Sequence, residues 1–289
     1  MPIVPALSEL KRATREGYAV PSFDVWDSAT ADGALAALVE KRAPGIIAIY
    51  SAVFDGPTAC GLTAYVRARA EEVPVPVAIL LDHGAGLDQC VQAIRYGCTD
   101  VMFDGSRLPL EENLAQTRVI ARAAHAAGVG VEAELGHVGQ AGDLENPAHW
   151  GAGFTDPTEA AGFVRETGID FLAVAIGTAH GIYRGEPRLA MERLQEIRRR
   201  VDVPLVLHGG TGLGGEPLQA AIAGGIAKIN VSTDLFISAG RRLAEGAWAA
   251  AEAPWADDPT LFRVTNTIAE AFRERCLYYI DLFGASGRA

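Results

Sequence analysis

Short apolar runs alternate with longer helix-patterned stretches along this chain from end to end. The apolar runs predict strands at residues 18–25, 45–51, 77–82, 100–103, 129–135, 171–176, 204–207 and 227–230. These runs lack strict polar alternation, which is the mark of strands covered on both faces in a parallel sheet. Between them, Ala-, Leu- and Arg-rich stretches predict helices at residues 28–42, 87–96, 110–127, 157–167, 190–200 and 217–223. Eight strands separated by helices fit an α/β fold closed as one (β/α)8 barrel, a TIM barrel, better than an open doubly wound sheet. An extra C-terminal helical segment, about residues 260–283, follows the last barrel helix and packs across it or reaches a neighbour. No linker or internal repeat divides residues 1–289, so the expectation is a single domain.

Composition narrows the partners. The chain is 49% hydrophobic, enough for a large packed core, and its formal charge is −11. That charge argues against nucleic acid and against an anionic membrane surface, because both are themselves negative. Cys60, Cys90, Cys98 and Cys276 form no CxxC pair and read as reduced, buried thiols of a cytoplasmic protein. Neither a signal-peptide pattern nor a membrane-length apolar stretch is present.

Chemistry enters through histidine. Of six histidines, His83, His180 and His208 share one context, an apolar run that ends in histidine followed by glycine. In a parallel barrel the C-terminal strand ends form a common rim on which sites are built. Three imidazoles on one rim predict a transition-metal site, zinc first, with an open coordination position. Glu132 and Glu134 alternate onto one face of the fifth strand, and Asp104 ends the fourth. Glu134 and Asp104 are therefore inner hydrogen-bonding groups, supports for the metal ligands, or ligands themselves. Asp82 precedes His83, and adjacent side chains at a strand end should diverge. That reading places Asp82 beside a substrate as a proton donor or acceptor rather than on the metal.

Two glycine- and hydroxyl-rich turns follow strands seven and eight: His208-Gly-Gly-Thr-Gly212 and Asn230-Val-Ser-Thr-Asp234. Backbone N–H groups and a helix start at these positions commonly hold phosphate. The long segment 136–155, rich in glycine, should cover the same rim, with 177–187 as a second cover. Metal, acid and phosphate turns together suggest a small phosphorylated carbonyl compound, with the metal acting as a Lewis acid. Lys228 is an unneeded alternative as a Schiff-base lysine.

The stretches Leu81-Asp-His-Gly84, Val131-Glu-Ala-Glu-Leu-Gly136, Ala175-Ile-Gly-Thr-Ala-His-Gly181, Leu207-His-Gly-Gly-Thr-Gly212 and Ile229-Asn-Val-Ser-Thr-Asp234 resemble class II zinc-dependent ketose-bisphosphate aldolases. The tagatose- and fructose-bisphosphate enzymes are the nearest pattern, and the resemblance runs over nearly the whole chain. It implies that His83, His180 and His208 hold Zn2+, with Glu134 and Asp104 lining an inner metal position. It also implies that Asp82 exchanges the proton of the aldehyde-derived hydroxyl. Gly181, Gly209, Gly210, Thr211, Asn230, Val231, Ser232 and Thr233 would bind dihydroxyacetone phosphate, with Na+ or K+ beside it. A homodimer or homotetramer is the implied assembly.

Three departures stand against that pattern. The family's loop Gly-Gly-x-Glu-Asp, whose Glu moves the carbon-bound proton, is here Gly139-Gln-Ala-Gly-Asp143. Gly142 thus occupies the Glu position, leaving Asp143 or Glu145 as the replacement base. Ser22-Phe-Asp-Val25 carries Asp24 where the family has Asn facing the substrate, and Ile49-Tyr-Ser-Ala-Val-Phe54 replaces a Ser-Glu/Asn-Gly-Ala run, which leaves Ser51 as the contact there. Together they predict an altered aldehyde half or altered proton transfer. The expected function is reversible cleavage of a phosphorylated ketose to dihydroxyacetone phosphate and an aldehyde. The alternative is a catalytically impaired paralogue acting as a binding or regulatory subunit; a barrel metallohydrolase is disfavoured because no His-x-His follows strand one.

Overall fold

The computed structural model describes residues 3–139, 153–183, 188–250 and 261–289, with backbone alone at 246–250 and 261–262. Eight parallel strands close in sequence order: β1 (Val20–Asp24), β2 (Gly45–Tyr50), β3 (Val77–Gly84), β4 (Asp100–Phe103), β5 (Gly130–Leu135), β6 (Phe171–Val174), β7 (Leu205–Leu207) and β8 (Ile226–Val231). β8 pairs with β1, with Ser22 opposite Asn230, and completes the ring. The fold is a (β/α)8 TIM barrel. Every strand except the end of β2 and His83 of β3 is buried throughout, as expected of strands covered on both faces.

The helices are α1 (Ala6–Glu16), α2 (Ser28–Lys41), the short α3 (Ser51–Phe54), α4 (Ala59–Glu72), α5 (Leu87–Tyr96), α6 (Leu110–Ala126), α7 (Pro157–Thr167), α8 (Met191–Arg200), α9 (Gly215–Ala223), α10 (Thr233–Ala250) and α11 (Leu261–Leu282). Local chemistry fixes several boundaries. Asp27 caps α2, accepting from Thr30 N while the Thr30 hydroxyl accepts from Asp27 N. Asp156 caps α7 ahead of Pro157, and Gly168 ends that helix in the left-handed conformation. α1, α3 and α4 lie outside the predicted set. α1 sits where the strands begin: Ala6 N donates to both carboxylate oxygens of buried Asp100, at 3.2 and 3.0 Å, and Ile3 pairs with Val77.

Of the two courses open to the C-terminal segment, the described residues show the first. α11 packs across α2 and α10: a Cβ on Gly33 would lie 2.4 Å from the Ala269 carbonyl, so only glycine lets the helices approach this closely. The Phe236 and Phe272 rings meet at 5.3 Å between α10 and α11. Arg273 pairs with Glu40 at 2.6 Å, and Arg275 and Tyr279 both donate to Asp234. Cys90, Cys98 and Cys276 are buried, but Cys60 is exposed, because it falls on the outer face of α4. No described helix is long and apolar enough to cross a membrane.

Candidate active site

The mouth at the C-terminal strand ends holds a cavity of about 490 Å³. His83 reaches it from β3, His180 from the turn after β6, and His208 from the residue after β7. β3 and β7 lie on opposite sides of the ring, yet His83 Nε2 and His208 Nδ1 are 3.0 Å apart. The donor atoms of all three histidines fall within 4.8 Å of one another. The imidazoles therefore converge over the barrel axis.

One backbone feature makes this possible. His83 adopts φ 53°, one of two left-handed non-glycine residues among those described, and the β3–β4 register shifts across Leu81 and Gly84. Because of this kink the neighbouring side chains do not diverge. Asp82 and His83 both line the mouth, with Asp82 Oδ2 3.9 Å from His83 Nε2. The expectation from a regular strand end is corrected here: the left-handed residue cancels the alternation. Asn230 Nδ2 donates to Asp82 Oδ1 at 2.9 Å and holds that carboxylate toward the cavity.

Two of the three imidazoles have a carboxylate behind the ring. His83 Nδ1 bonds Asp104 Oδ2 at 2.8 Å, and His208 Nε2 bonds Glu132 Oε1 at 2.8 Å. Such partners fix ring orientation and leave the other nitrogen to a cation. Glu132 bridges onward, its Oε2 accepting from Lys228 Nζ at 2.7 Å; Glu132, His208 and Lys228 are all fully buried. Lys228 thus faces Glu132 and does not line the mouth.

Burial opposes a charged His83, but Asp82, Asp104 and Glu134 outweigh it and push its pKa up to about 10. Burial, then the charge on His83, lowers His180 to about 4. Burial is resisted at Asp104, whose bonds with His83 and Ser106 hold its pKa well below the carboxylate range. Glu134, raised to about 8 by burial and then by Asp104, sits with His83 and Asp104 in a second group of donors within 4.8 Å.

The donor set fits a metal such as zinc. His180 Nε2 is buried with no hydrogen-bond partner, as is Glu134 Oε2. Unpaired buried nitrogens and oxygens are costly unless something binds them. Three imidazoles at hand-to-hand distance, two backed by carboxylates, supply what a catalytic zinc takes.

The glycine- and hydroxyl-rich turns are built on the same rim. Gly209, with φ 69°, lies so close to the β6 turn that a Cβ would stand 2.4 Å from Ala179 O. Tyr183 ties these turns together: its hydroxyl accepts from Ala179 N at 2.6 Å and donates to Gly209 O at 3.0 Å. Gly181, Thr211, Ser232 and Thr233 line the cavity, and α10 begins at Thr233 so that its positive end opens onto it. Asp24, Ser51 and Asn230 line it as well. Asp24 is raised to about 8, first by burial and then by the charge of Asp82. Gly210 borders a neighbouring cavity instead, and the Val231 side chain is buried in the core. Gly142, Asp143 and Glu145 lie outside the described residues. The described ends of that segment are joined by His137 N to Gly153 O at 2.7 Å, and its base meets the β6 turn through His180 N to Gly139 O at 2.8 Å.

Tyr50, Arg107 and His137 also line the mouth and were not among the predicted site residues. Their signal was positional. Tyr50 ends β2, Arg107 follows the end of β4 by four residues, and His137 follows β5 by two.

A family model for class II fructose-bisphosphate aldolase matches residues 4–288. A probable fructose-bisphosphate aldolase of Bacillus subtilis is 38% identical over the full length of both chains. A sulfofructosephosphate aldolase of Alkalicoccus urumqiensis is 35% identical, covering 97% of this chain and 96% of its own. The crystal structure of the YdjI aldolase from Escherichia coli K12 superposes with a TM-score of 0.86 at 32% identity, covering 99% of each chain. The chain belongs to the class II fructose-bisphosphate aldolase family. It is an enzyme of the aldolase, carbon–carbon lyase, kind.

Proposed function

We propose that this enzyme reversibly cleaves a phosphorylated ketose to dihydroxyacetone phosphate and an aldehyde, with zinc bound by His83, His180 and His208. The observation that carries the reading is the convergence of those three imidazoles within 4.8 Å beside the glycine turns. Bound zinc would supply Lewis-acid polarisation of the ketone oxygen. Glu134 and Asp104 support this set or line an inner position for the metal.

The remaining work belongs to the chain. The phosphate is held by Gly181, Gly209, Thr211, Ser232 and Thr233, with backbone from Gly210 and Val231 and with Na+ or K+ beside it. Asp82, positioned by Asn230, takes the hydroxyl proton as the carbon–carbon bond breaks. The electron pair stays with the phosphorylated ketone fragment, whose carbon is then protonated by Asp143 or Glu145. Asp24 and Ser51 face the aldehyde half.

A homodimer or homotetramer in the cytoplasm is the accompanying expectation, measurable by light scattering. The aldolase relatives do not favour a silent binding subunit. The direct test is release of dihydroxyacetone phosphate from fructose bisphosphate, tagatose bisphosphate and other phosphorylated ketoses, with metal removed and then restored. Zinc-dependent release from at least one is expected. Failure with every phosphorylated ketose, zinc being bound, would sink the proposal.

A further inference from the structure

The mouth is acidic, with Asp24, Asp82 and Asp104 on its walls, yet one arginine reaches it. Arg107 is the only lysine or arginine lining this cavity among the described residues. It sits in a turn closed by Leu108 N to Gly105 O at 2.9 Å. That turn is anchored from beneath by Ser106 N to Asp104 Oδ1 at 3.1 Å. Asn113 bonds Glu134 O at 3.0 Å and packs so near Gly105 that a Cβ there would lie 2.2 Å from its Oδ1. The turn that carries the side chain is fixed, while the residue itself is exposed.

The nearby acids do not use that guanidinium. Asp104 is engaged by His83 and Ser106, and Asp82 by Asn230. Among the described residues Arg107 has no hydrogen-bond or ion-pair partner. Its place on the ring is informative. β4 lies four strands from β8 in either direction, so Arg107 stands across the mouth from Ser232 and Thr233. The imidazoles meet between the two. A ketose phosphate anchored at the glycine turns, with its carbonyl over the histidines, directs its other end toward Arg107.

We infer that Arg107 is a specificity-determining residue that binds a monoanionic group, a carboxylate or sulfonate, on the far end of the aldehyde half. The planar guanidinium presents paired donors to two oxygens of such a group. One positive charge balances a monoanion, whereas a phosphate dianion would carry excess negative charge into a mouth already lined by Asp82 and Asp104. This inference rests on the aldolase reading of the same site.

The test adds dihydroxyacetone phosphate to matched hydroxyaldehydes ending in carboxylate, sulfonate, phosphate or hydroxymethyl, using the zinc-loaded enzyme. The readout is the ratio of kcat/KM for each charged end to that for the hydroxymethyl end. We expect a carboxylate or sulfonate ratio roughly 10–100-fold above one, the larger of the two identifying the group. Arg107→Met should bring that ratio close to one, and Arg107→Lys should restore part of it. An unchanged ratio in Arg107→Met, or a preference for the phosphate end over both monoanions, would overturn the inference. Solvent exchange of the dihydroxyacetone phosphate carbon proton, without aldehyde, separates the two readings. Exchange with an unchanged ratio removes Arg107 alone; absence of both exchange and addition removes the aldolase reading and this one with it.

Discussion

Two polar layers lie one above the other in this barrel, and they differ in how completely they are satisfied. The lower layer is the chain His208–Glu132–Lys228, fully buried, with both Glu132 oxygens bonded, at 2.8 and 2.7 Å. The upper layer is the rim, where buried Asp24 Oδ1, Glu134 Oε2, His180 Nε2 and Asn230 Oδ1 have no partner. Both contain acids and bases in low dielectric, so burial alone does not separate them. What separates them is unmet bonding capacity. A closed network specifies geometry, whereas an open one is completed by what binds.

The sharpest way to break this comparison is to delete an open group. His180→Ala should remove most of the bound zinc and lower kcat for ketose-phosphate cleavage at least ~1000-fold, since the proposed site relies on its imidazole as one of three nitrogen ligands. Metal analysis alongside the cleavage assay checks both halves. Retention of zinc and activity would show that the unpaired nitrogen is not a ligand.

A closed group should fail differently. Glu132→Gln leaves Lys228 buried without its carboxylate, and loss of one partner from such a pair costs about 3 kcal/mol. Urea unfolding should show that loss, and Glu132→Gln combined with Lys228→Met should recover most of it. Zinc affinity should also fall, about 10-fold or more, because His208 loses its orienting carboxylate. If the single variant unfolds normally, the lower layer is not the closed scaffold described.

Much of this was legible in the sequence because periodicity and strand ends are local. All eight strands fall within about two residues of their predicted limits, and residues 87–96 and 157–167 match α5 and α7 at both ends. The histidines were legible for the same reason, each following an apolar run. What could not be read is whatever depends on φ at one residue or on distance across the ring. The left-handed His83 lengthens β3 by two residues and turns Asp82 and His83 to the same side. Glu132 could be placed on the inner face, but its bridge between β7 and β8 side chains needs the closed barrel. Arg107 and Tyr183 carry no motif at all; only the ring's geometry brings Arg107 to the mouth and Tyr183 between the Ala179 and Gly209 turns. α4 was hidden because Ala59-Cys-Gly61 opens it without a side-chain cap or clear apolar period.

A smaller effect sharpens the anion side of the rim. Tyr183→Phe removes the hydroxyl that joins Ala179 N to Gly209 O. Loss of these bonds is worth about 1–1.5 kcal/mol, so KM for the phosphorylated ketose should rise up to about tenfold with a lesser change in kcat. A KM that does not move would show that the glycine turn holds its shape without the tyrosine.

The smallest expected effect concerns Asp24, an open acid without a cationic partner. Its folded-state pKa is raised to about 8, by burial and then by Asp82, from an ordinary value of 3.8. Between those values the native protein holds a proton that the unfolded chain releases, so this group lowers stability as pH rises from about 4 to about 8. Below that window both states are protonated and the group contributes nothing. Asp24→Asn removes the penalty. Asp24 borders a cavity that water can enter, so the gain should be well below a fully buried charge's cost, up to about 1 kcal/mol. Urea unfolding of metal-free protein at pH 4.5, 6.5 and 8.5 should show the variant gaining on the wild type as pH increases. A difference that is flat across the three pH values would mean that Asp24 titrates normally, and would move it from the open layer to the closed one.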